Sequence, residues 1–283
     1  MNPISINKPE KLATLARDIR AKIIESLTAA GSGHLGGSLG LADVFTVLFF
    51  HEMNVRPLEP DWLDRDRLIL SIGHVAPVLY ATLAEAGYFP VEELLTLRKL
   101  GSRLQGHPAL DRRLPGIEVS SGSLGQGLSI SVGLALSARI DGKKWKVYSI
   151  HGDGELQEGS IWEAAMSASH YHLNNLRMII DRNGLQIDGT TDSVMNLEPL
   201  RAKLEAFGWK VLTCDGNSIR SLLQAFAEAD AGTESCPVAI IAKTKMGKGV
   251  PEIEGNYKWH GAVPTTEQKE RFINELTLED CDV

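Results

Sequence analysis

Five short β-rich runs are spaced along the chain: RLILS (67–71), WKVYSI (145–150), LRMIID (176–181), WKVLTC (209–214) and PVAIIAK (237–243). They alternate with longer stretches of helical character at Pro9 to Ala30, Leu39 to His51, Val75 to Ala86, Leu124 to Ile140, Ile161 to His170 and Ile219 to Ala229. Most of these stretches open after Ser, Asn or Gly, as helix starts do. The alternation predicts an α/β fold, a parallel sheet with helices on both faces. No Pro/Ser-rich linker divides the chain, and the glycines fall at strand-to-helix junctions, so residues 1–283 read as a single large domain. The stretch 247–283 has weak periodicity and mixed polarity. It is expected to be a C-terminal extension or an interface segment.

Composition narrows the function classes. With 43% apolar and 23% charged residues the chain sits in the ordinary globular range. A formal charge of −7 argues against a nucleic-acid partner, which needs a clustered basic surface. The opening MNPISINKPEKLATLARDIR mixes charge and polarity, leaving no room there for a signal-peptide core or a membrane span, and a cytoplasmic protein is expected. Cys214, Cys236 and Cys281 show no CxxC spacing and read as incidental thiols.

The run after Ile150 is HGDGELQEG, and the strand at 176–181 runs into DRNGLQIDG, so Asp153 and Asn183 stand thirty positions apart at neighbouring strand ends. Ligands of open α/β sheets gather at the carboxyl ends of strands, which points both side chains into one crevice. Asp and Asn oxygens with one backbone carbonyl form a hard donor set, suited to magnesium or calcium. Gly152 and Gly154 let the backbone approach a diphosphate and present N–H groups at a helix start. A lone GDG reads first as a tight turn, and Asn183 as a cap; the spaced pair is what favours a diphosphate held through a divalent ion. Four histidines sit beside glycine or proline in loops: His34 in GSGHLGG, His74 in IGHVAP, His107 in LQGHPA and His260 in KWHGAVP. Such loop histidines can donate to ligand oxygens or move protons near neutral pH. His170 and His172 form an HxH pair at a predicted helix end without a third ligand nearby, and read as structural.

The paired wording GDGELQEG and DRNGLQIDG, with histidine motifs running from SGH at 34 to WHGA at 260, resembles the transketolase family over most of the chain. The resemblance implies thiamine diphosphate and Mg2+ as cofactors, with Ca2+ or Mn2+ able to substitute. It places Asp153, Asn183 and the main-chain carbonyl of Leu185 on the metal, Gly152 and Gly154 at the diphosphate, and Ile187 on the thiazolium side. His74 and His260 are expected beside the diphosphate, and Gly122 and Leu124 of SSGSLGQG close over the cofactor. His107 is expected at the terminal hydroxymethyl end of a ketose, with His34 and His260 around the donor hydroxyl; these three are the catalytic candidates. Glu158 and Glu163 match an acidic pair that the family places at a subunit interface near the cofactor, although a solvated helix face reads as well. His151 stands where the family more often has an aliphatic residue, which leaves a strand-end packing variant as its reading.

The family activates its cofactor with a glutamate from a second, pyrimidine-binding domain, and this sequence shows none. The implied assembly is therefore a heterotetramer of two such chains with two pyrimidine-binding subunits. It would move a two-carbon glycolaldehyde unit from a ketose or its phosphate to an aldose or its phosphate. Three other readings stay open: half of a deoxyxylulose-phosphate synthase-like enzyme, the alpha chain of a 2-oxoacid dehydrogenase, and a non-catalytic relic. The GHP loop and PGIEVSSGSLGQG favour transketolase.

Overall fold

The structure, a computed structural model, describes residues 3–231 and 235–278, so Cys281 lies outside the described residues. In chain order it begins with helices α1 (Pro9–Ala30), α2 (Leu35–Gly40) and α3 (Ala42–Val47), then strand β1 (Arg67–Leu70) and helix α4 (Ala76–Glu85). Helix α5 (Gly127–Ile140), strand β2 (Val147–Gly152), helix α6 (Gly159–His170) and strand β3 (Leu176–Asp181) follow. A small hairpin, β4 (Leu185–Gln186) with β5 (Gly189–Thr190), leads through α7 (Thr191–Val194) and α8 (Leu200–Ala206) to β6 (Lys210–Asp215). The chain continues with α9 (Ile219–Asp230), β7 (Val238–Lys243) and α10 (Thr266–Leu278).

All five β-rich runs are strands of one parallel sheet in the order β1-β2-β3-β7-β6. Each strand feeds both faces: Ile179 joins a core with α1, α3, α4 and α9, while Met178 and Ile180 join a second core with α5, α6 and α8. Burial on both faces is why the runs are apolar nearly throughout, and it fixes the register. Strand β2 runs two residues beyond Ile150, to Gly152, so His151 is a strand residue buried in the sheet.

Helix α1 matches its predicted bounds, with Pro9 at the first helical position and Gly31 at φ +66° receiving the chain at its end. The predicted helix Leu39 to His51 is instead broken. Leu41 stands at ψ 0° between α2 and α3, and Leu48–Glu52 forms a wider π turn. The glycines of LGGSLG carry the reason. A Cβ on Gly36 would come within 2.9 Å of Trp259 O, and one on Gly40 within 2.9 Å of Lys245 O. Helix propensity is given up here so that the C-terminal segment can lie against α2. Asn217 ties the same helix down, donating from Nδ2 to Gly40 O (2.8 Å) and to Asp43 Oδ2 (2.9 Å), and Asp43 is paired with the buried Arg20.

Within the stretch expected to wrap over the domain or reach a partner, the structure shows α10 packed on α1. Phe272 and Leu276, one turn apart, are buried in the core there. Two buried positions in a polar helix leave too weak a period for the pattern alone to reveal it.

Candidate active site

Above the carboxyl ends of β1, β2 and β3, loops converge on a cavity of about 320 Å3. β2 and β3 pair in parallel with Gly152 opposite Asp181, so Asp153 and Asn183 leave adjacent strands at nearly one level. The cavity is lined by His34, His74, His107, Gly122, Leu124, Gly152, Asp153, Gly154, Asn183, Leu185, Ile187 and His260. These residues lie up to 226 positions apart in the chain (260 − 34). Glu158 and Glu163 do not line it; both are exposed at the start of α6. His170 is exposed against Tyr171, and His172 sits at φ +51° in the turn after α6, far along the helix from the cavity.

Three of the histidines form a cluster. His34 lies 5.0 Å from His74 and 5.6 Å from His260 between ring centroids, and His74 lies 5.1 Å from His260. Each comes from a different segment. His34 is the residue before α2, His74 lies in the turn after β1, and His260 is held by the segment whose Ala262 carbonyl accepts from Leu35 N. His107 lies across Gly122, whose φ is +142° and whose Cβ, if present, would stand 3.0 Å from the imidazole. A side chain at Gly122 would displace His107 or the loop.

Electrostatics keep the cluster neutral. Burial, then the neighbouring histidines, lower the pKa of His74 to about 3 and that of His34 to about 4; burial lowers His260 and His107 as well. Neutral imidazoles each keep one donor and one acceptor, and the buried Nδ1 atoms of His34 and His260 have no partner among the described protein atoms. A pH dependence follows. Unfolded histidine titrates near 6.5, so below that pH the unfolded chain binds a proton that folded His74 refuses until about 3. Stability is therefore lost as pH falls from about 6.5, by about 1.4 kcal/mol for His74 alone between pH 7.5 and 5.5. Urea unfolding of the ligand-free protein at those two pH values should show a smaller loss in His74→Gln than in the parent; equal losses would mean that His74 is not held neutral.

On the opposite wall Asp153 is 1% exposed. Its Oδ1 accepts from Gly154 N (2.8 Å), and its Oδ2 from Gly184 N (2.7 Å) and Arg182 Nη1 (2.9 Å). Burial raises its pKa, and these donors offset part of that rise. Asp181, next to it, is fully buried and accepts from Thr244 Oγ1 and Asn183 Nδ2; burial, with the charge of Asp153, raises its pKa to about 7.

A buried network that motif reading missed ties the loops together. Glu155 Oε1 accepts from Gly125 N (2.8 Å) and from Ser71 Oγ, and its Oε2 takes Gly152 N (3.3 Å) and His151 Nδ1 (3.0 Å). His151 Nε2 in turn is hydrogen-bonded with Ser149 Oγ (2.6 Å). Burial opposes the Glu155 charge, but His151 and the other donors outweigh it and hold the carboxyl below its usual range. His151 is thus a bonded partner within the sheet rather than an inert packing residue, and Glu155 joins the loops after β1 and β2 to the glycine loop that carries Gly122 and Leu124. The signal available in the sequence was His151 four residues before Glu155 across a turn. Gln186 and Met246 also line the cavity without having been singled out.

A larger, open hollow of about 1060 Å3 lies beside Asp215, Asn217 and Lys243, at the β6 side of the sheet. It holds none of the loop histidines, so size alone does not mark the site. Among the described residues no helix is long and apolar enough to cross a membrane.

The family model for the transketolase thiamine diphosphate binding domain matches residues 12–279. The chain is 44% identical over 268 residues to an apulose-4-phosphate transketolase subunit of Phocaeicola vulgatus, covering 95% of this chain and 94% of that protein. It is 42% identical over 264 residues to the 6-deoxy-6-sulfo-D-fructose transketolase subunit SqwG of Clostridium sp., covering 93% and 95%. Against transketolase of Rattus norvegicus it is 40% identical over 270 residues, but these cover only 42% of that protein. The crystal structure of transketolase from Campylobacter jejuni superposes with a TM-score of 0.89 at 34% identity, covering 98% of this chain and 44% of that one. The chain thus spans less than half of these two longer relatives and nearly all of the two named as subunits. It belongs to the transketolase family, as a thiamine-diphosphate-binding part of it.

Proposed function

We propose that this chain is the thiamine-diphosphate-binding subunit of a two-subunit transketolase, moving a two-carbon glycolaldehyde unit from a ketose to an aldose. The observation that carries the proposal is the convergence, in one cavity, of the Asp153, Asn183 and Leu185 wall with the neutral cluster of His34, His74 and His260. The family match favours this reading over the synthase-like and dehydrogenase readings.

The residues present fit the cofactors. A carboxylate has about four lone-pair sites; Asp153 Oδ2 holds two donors and Oδ1 one, leaving a direction for a hard cation. Asp153, Asn183 Oδ1 and the Leu185 carbonyl would hold Mg2+, or Ca2+ or Mn2+ in its place, with diphosphate oxygens completing the shell. The partnerless Nδ1 atoms of His34 and His260 suit an incoming polar ligand. Bound thiamine diphosphate supplies the carbon nucleophile that carries the two-carbon unit. The protein's part is to bind and to handle protons. His74 and His260 would donate N–H to diphosphate oxygens, Gly152 and Gly154 admit it, and Leu124 and Ile187 flank the ring. A neutral His34 or His260 can accept the donor hydroxyl proton at pH 7, where an imidazolium could not. His107, at the more exposed rim, would bind the end of the ketose.

A pyrimidine-binding partner, in a heterotetramer with two copies of each chain, would complete the site. Two relatives are named as subunits, and this chain covers 94% and 95% of their lengths. Leu124 and Ile187 line the cavity yet are 39% and 64% exposed, which leaves apolar surface beside the cofactor for the partner to cover. Glu158 and Glu163 would face that junction.

The test is an assay for ketose-to-aldose two-carbon transfer with thiamine diphosphate and Mg2+, using the chain alone and mixed with a pyrimidine-binding transketolase subunit from the same organism. Turnover only in the mixture is expected. Turnover by the chain alone would refute the need for a partner, and none in either case would refute the activity for the sugars tried.

A further inference from the structure

Arg182 separates the metal-binding wall from the segment that follows it. Its guanidinium, 15% exposed, donates from Nη1 to Asp153 Oδ2 (2.9 Å) and to Thr191 Oγ1 (2.8 Å). Nη2 faces Glu198 Oε1 (3.2 Å) and Asp192 Oδ1 (3.6 Å), which are 51% and 64% exposed. One arginine thus has a buried anion on one side and solvated anions on the other. The same stretch of chain carries the other candidate metal donors. Gly184 N bonds Asp153 Oδ2, and Thr191 N bonds Gly184 O, so hairpin β4–β5, with Leu185 at its start, is strung between Asp153 and α7.

Two carboxylates, Asp153 and Asp181, lie buried within this corner. Without a cation the ionised Asp153 would keep two backbone N–H donors but no opposite charge inside the protein, at a cost that a single charged partner relieves. A divalent ion on the same carboxylate makes that partner redundant and places two cations across one carboxyl group, where the low dielectric strengthens their repulsion. Asp192 and Glu198 offer the guanidinium somewhere to go without leaving Thr191.

Resting on the reading of Asp153 as a metal ligand, we propose that Arg182 is a built-in counter-cation: it holds the Asp153 carboxylate in the metal-free chain and yields it to the divalent ion, shifting toward Asp192 and Glu198. It acts through Asp153 and is a positioning residue. The chain therefore keeps a formed site before metal arrives, at the expense of metal affinity, and the position of α7 depends on whether the ion is bound.

The experiment is a Mn2+ titration followed by the electron paramagnetic resonance of the free ion, at pH 8, with and without saturating thiamine diphosphate. It uses the full chain and its Arg182→Met and Glu198→Gln variants, alongside thermal melts without metal. Arg182→Met should melt lower than the parent without metal yet bind Mn2+ about tenfold tighter, the equivalent of one charge-assisted hydrogen bond no longer in competition. Glu198→Gln, altered at an exposed carboxylate, should move the other way and bind Mn2+ more weakly, because the guanidinium loses a place to withdraw to. A purely structural role for Arg182 would lower the melting temperature and leave Mn2+ affinity equal or weaker, and that result overturns the proposal. If Arg182→Met does not fold, unchanged or tighter Mn2+ binding by Glu198→Gln overturns it instead. Should the parent chain bind no Mn2+ even with thiamine diphosphate, it is the metal-site reading under Proposed function that fails, so the two failures are distinguishable.

Discussion

An Asp153→Ala variant should lose metal-dependent binding of thiamine diphosphate by more than about 100-fold, since removing even an outer partner of a metal ligand costs about 10- to 100-fold. Asp153 is 1% exposed at the end of β2, and of the three donors assigned to the metal it alone carries charge. Asn183 Oδ1 already accepts from Leu185 N (2.8 Å), and a backbone carbonyl offers only a dipole, so neither can replace a carboxylate toward a hard dication. The fold should survive the change. The truncation leaves Gly154 N and Gly184 N without their acceptor, a loss of about 1–3 kcal/mol each, while Arg182 keeps Thr191 and Glu198. Calorimetric titration with thiamine diphosphate in the presence of Mg2+, on protein shown by circular dichroism to be folded, checks this. Asp153→Asn, which keeps the shape, should lie close to the alanine variant, because charge rather than volume is being removed. Cofactor affinity within a few-fold of the parent in both would remove Asp153 from the metal.

The sheet was legible because its strands are buried on both faces and so announce themselves in single short runs; β3 was found with both ends correct, at Leu176 and Asp181. The pairing of Asp153 with Asn183 was legible for the same reason, since two parallel neighbours put their following residues at one level. Less visible was everything decided by contacts distant in the chain. Nothing local in LGGSLG says why position 40 must be glycine, because the constraint is the carbonyl of Lys245 lying against it. α10 was hidden because only its inner edge is apolar, and its partner is α1 at the far end of the sequence. Within the site, motif reading found most groups that face the cavity but missed Gln186, Met246 and Glu155, and missed those that hold the loops from behind, Ser71 and His151 at Glu155 and Arg182 at Asp153. Ser71, His151 and Arg182 reach the site through another side chain, and spacing carries no record of that.

The two walls of the cavity also explain each other. The dication and diphosphate proposed for the cavity would bring large charges of both signs into a site where Asp153 is neutralised by Arg182 and three histidines are held uncharged by burial, while Glu155 keeps its charge. The charge that Glu155 keeps is met by its own buried donors, Gly125 N, Gly152 N, Ser71 Oγ and His151 Nδ1. The histidines remain free to respond to whatever charge develops on the substrate.

Replacing His107 with Ala should lower kcat about 100-fold or more, the usual scale for losing a group that assists at the reacting end of a substrate, while thiamine diphosphate affinity stays within about twofold. The separation follows from where the residue stands. His107 is exposed at the rim, beyond the loop carrying Gly122, and makes no ring contact with the cluster of His34, His74 and His260 that faces Asp153 across the cavity. Its side chain makes no hydrogen bond among the described residues, so its removal should change stability by less than about 0.5 kcal/mol. Burial and the nearby Arg98 charge lower its pKa, so it is neutral at pH 7 and offers one N–H to a sugar hydroxyl. His107→Asn retains a donor of similar reach and should recover part of the lost rate, whereas His107→Phe should not. Steady-state kinetics of the reconstituted enzyme, with cofactor binding measured separately, discriminates the roles. A loss of cofactor affinity matching the loss of rate would move His107 into the cofactor site, and full activity in the alanine variant would take it out of the active site altogether.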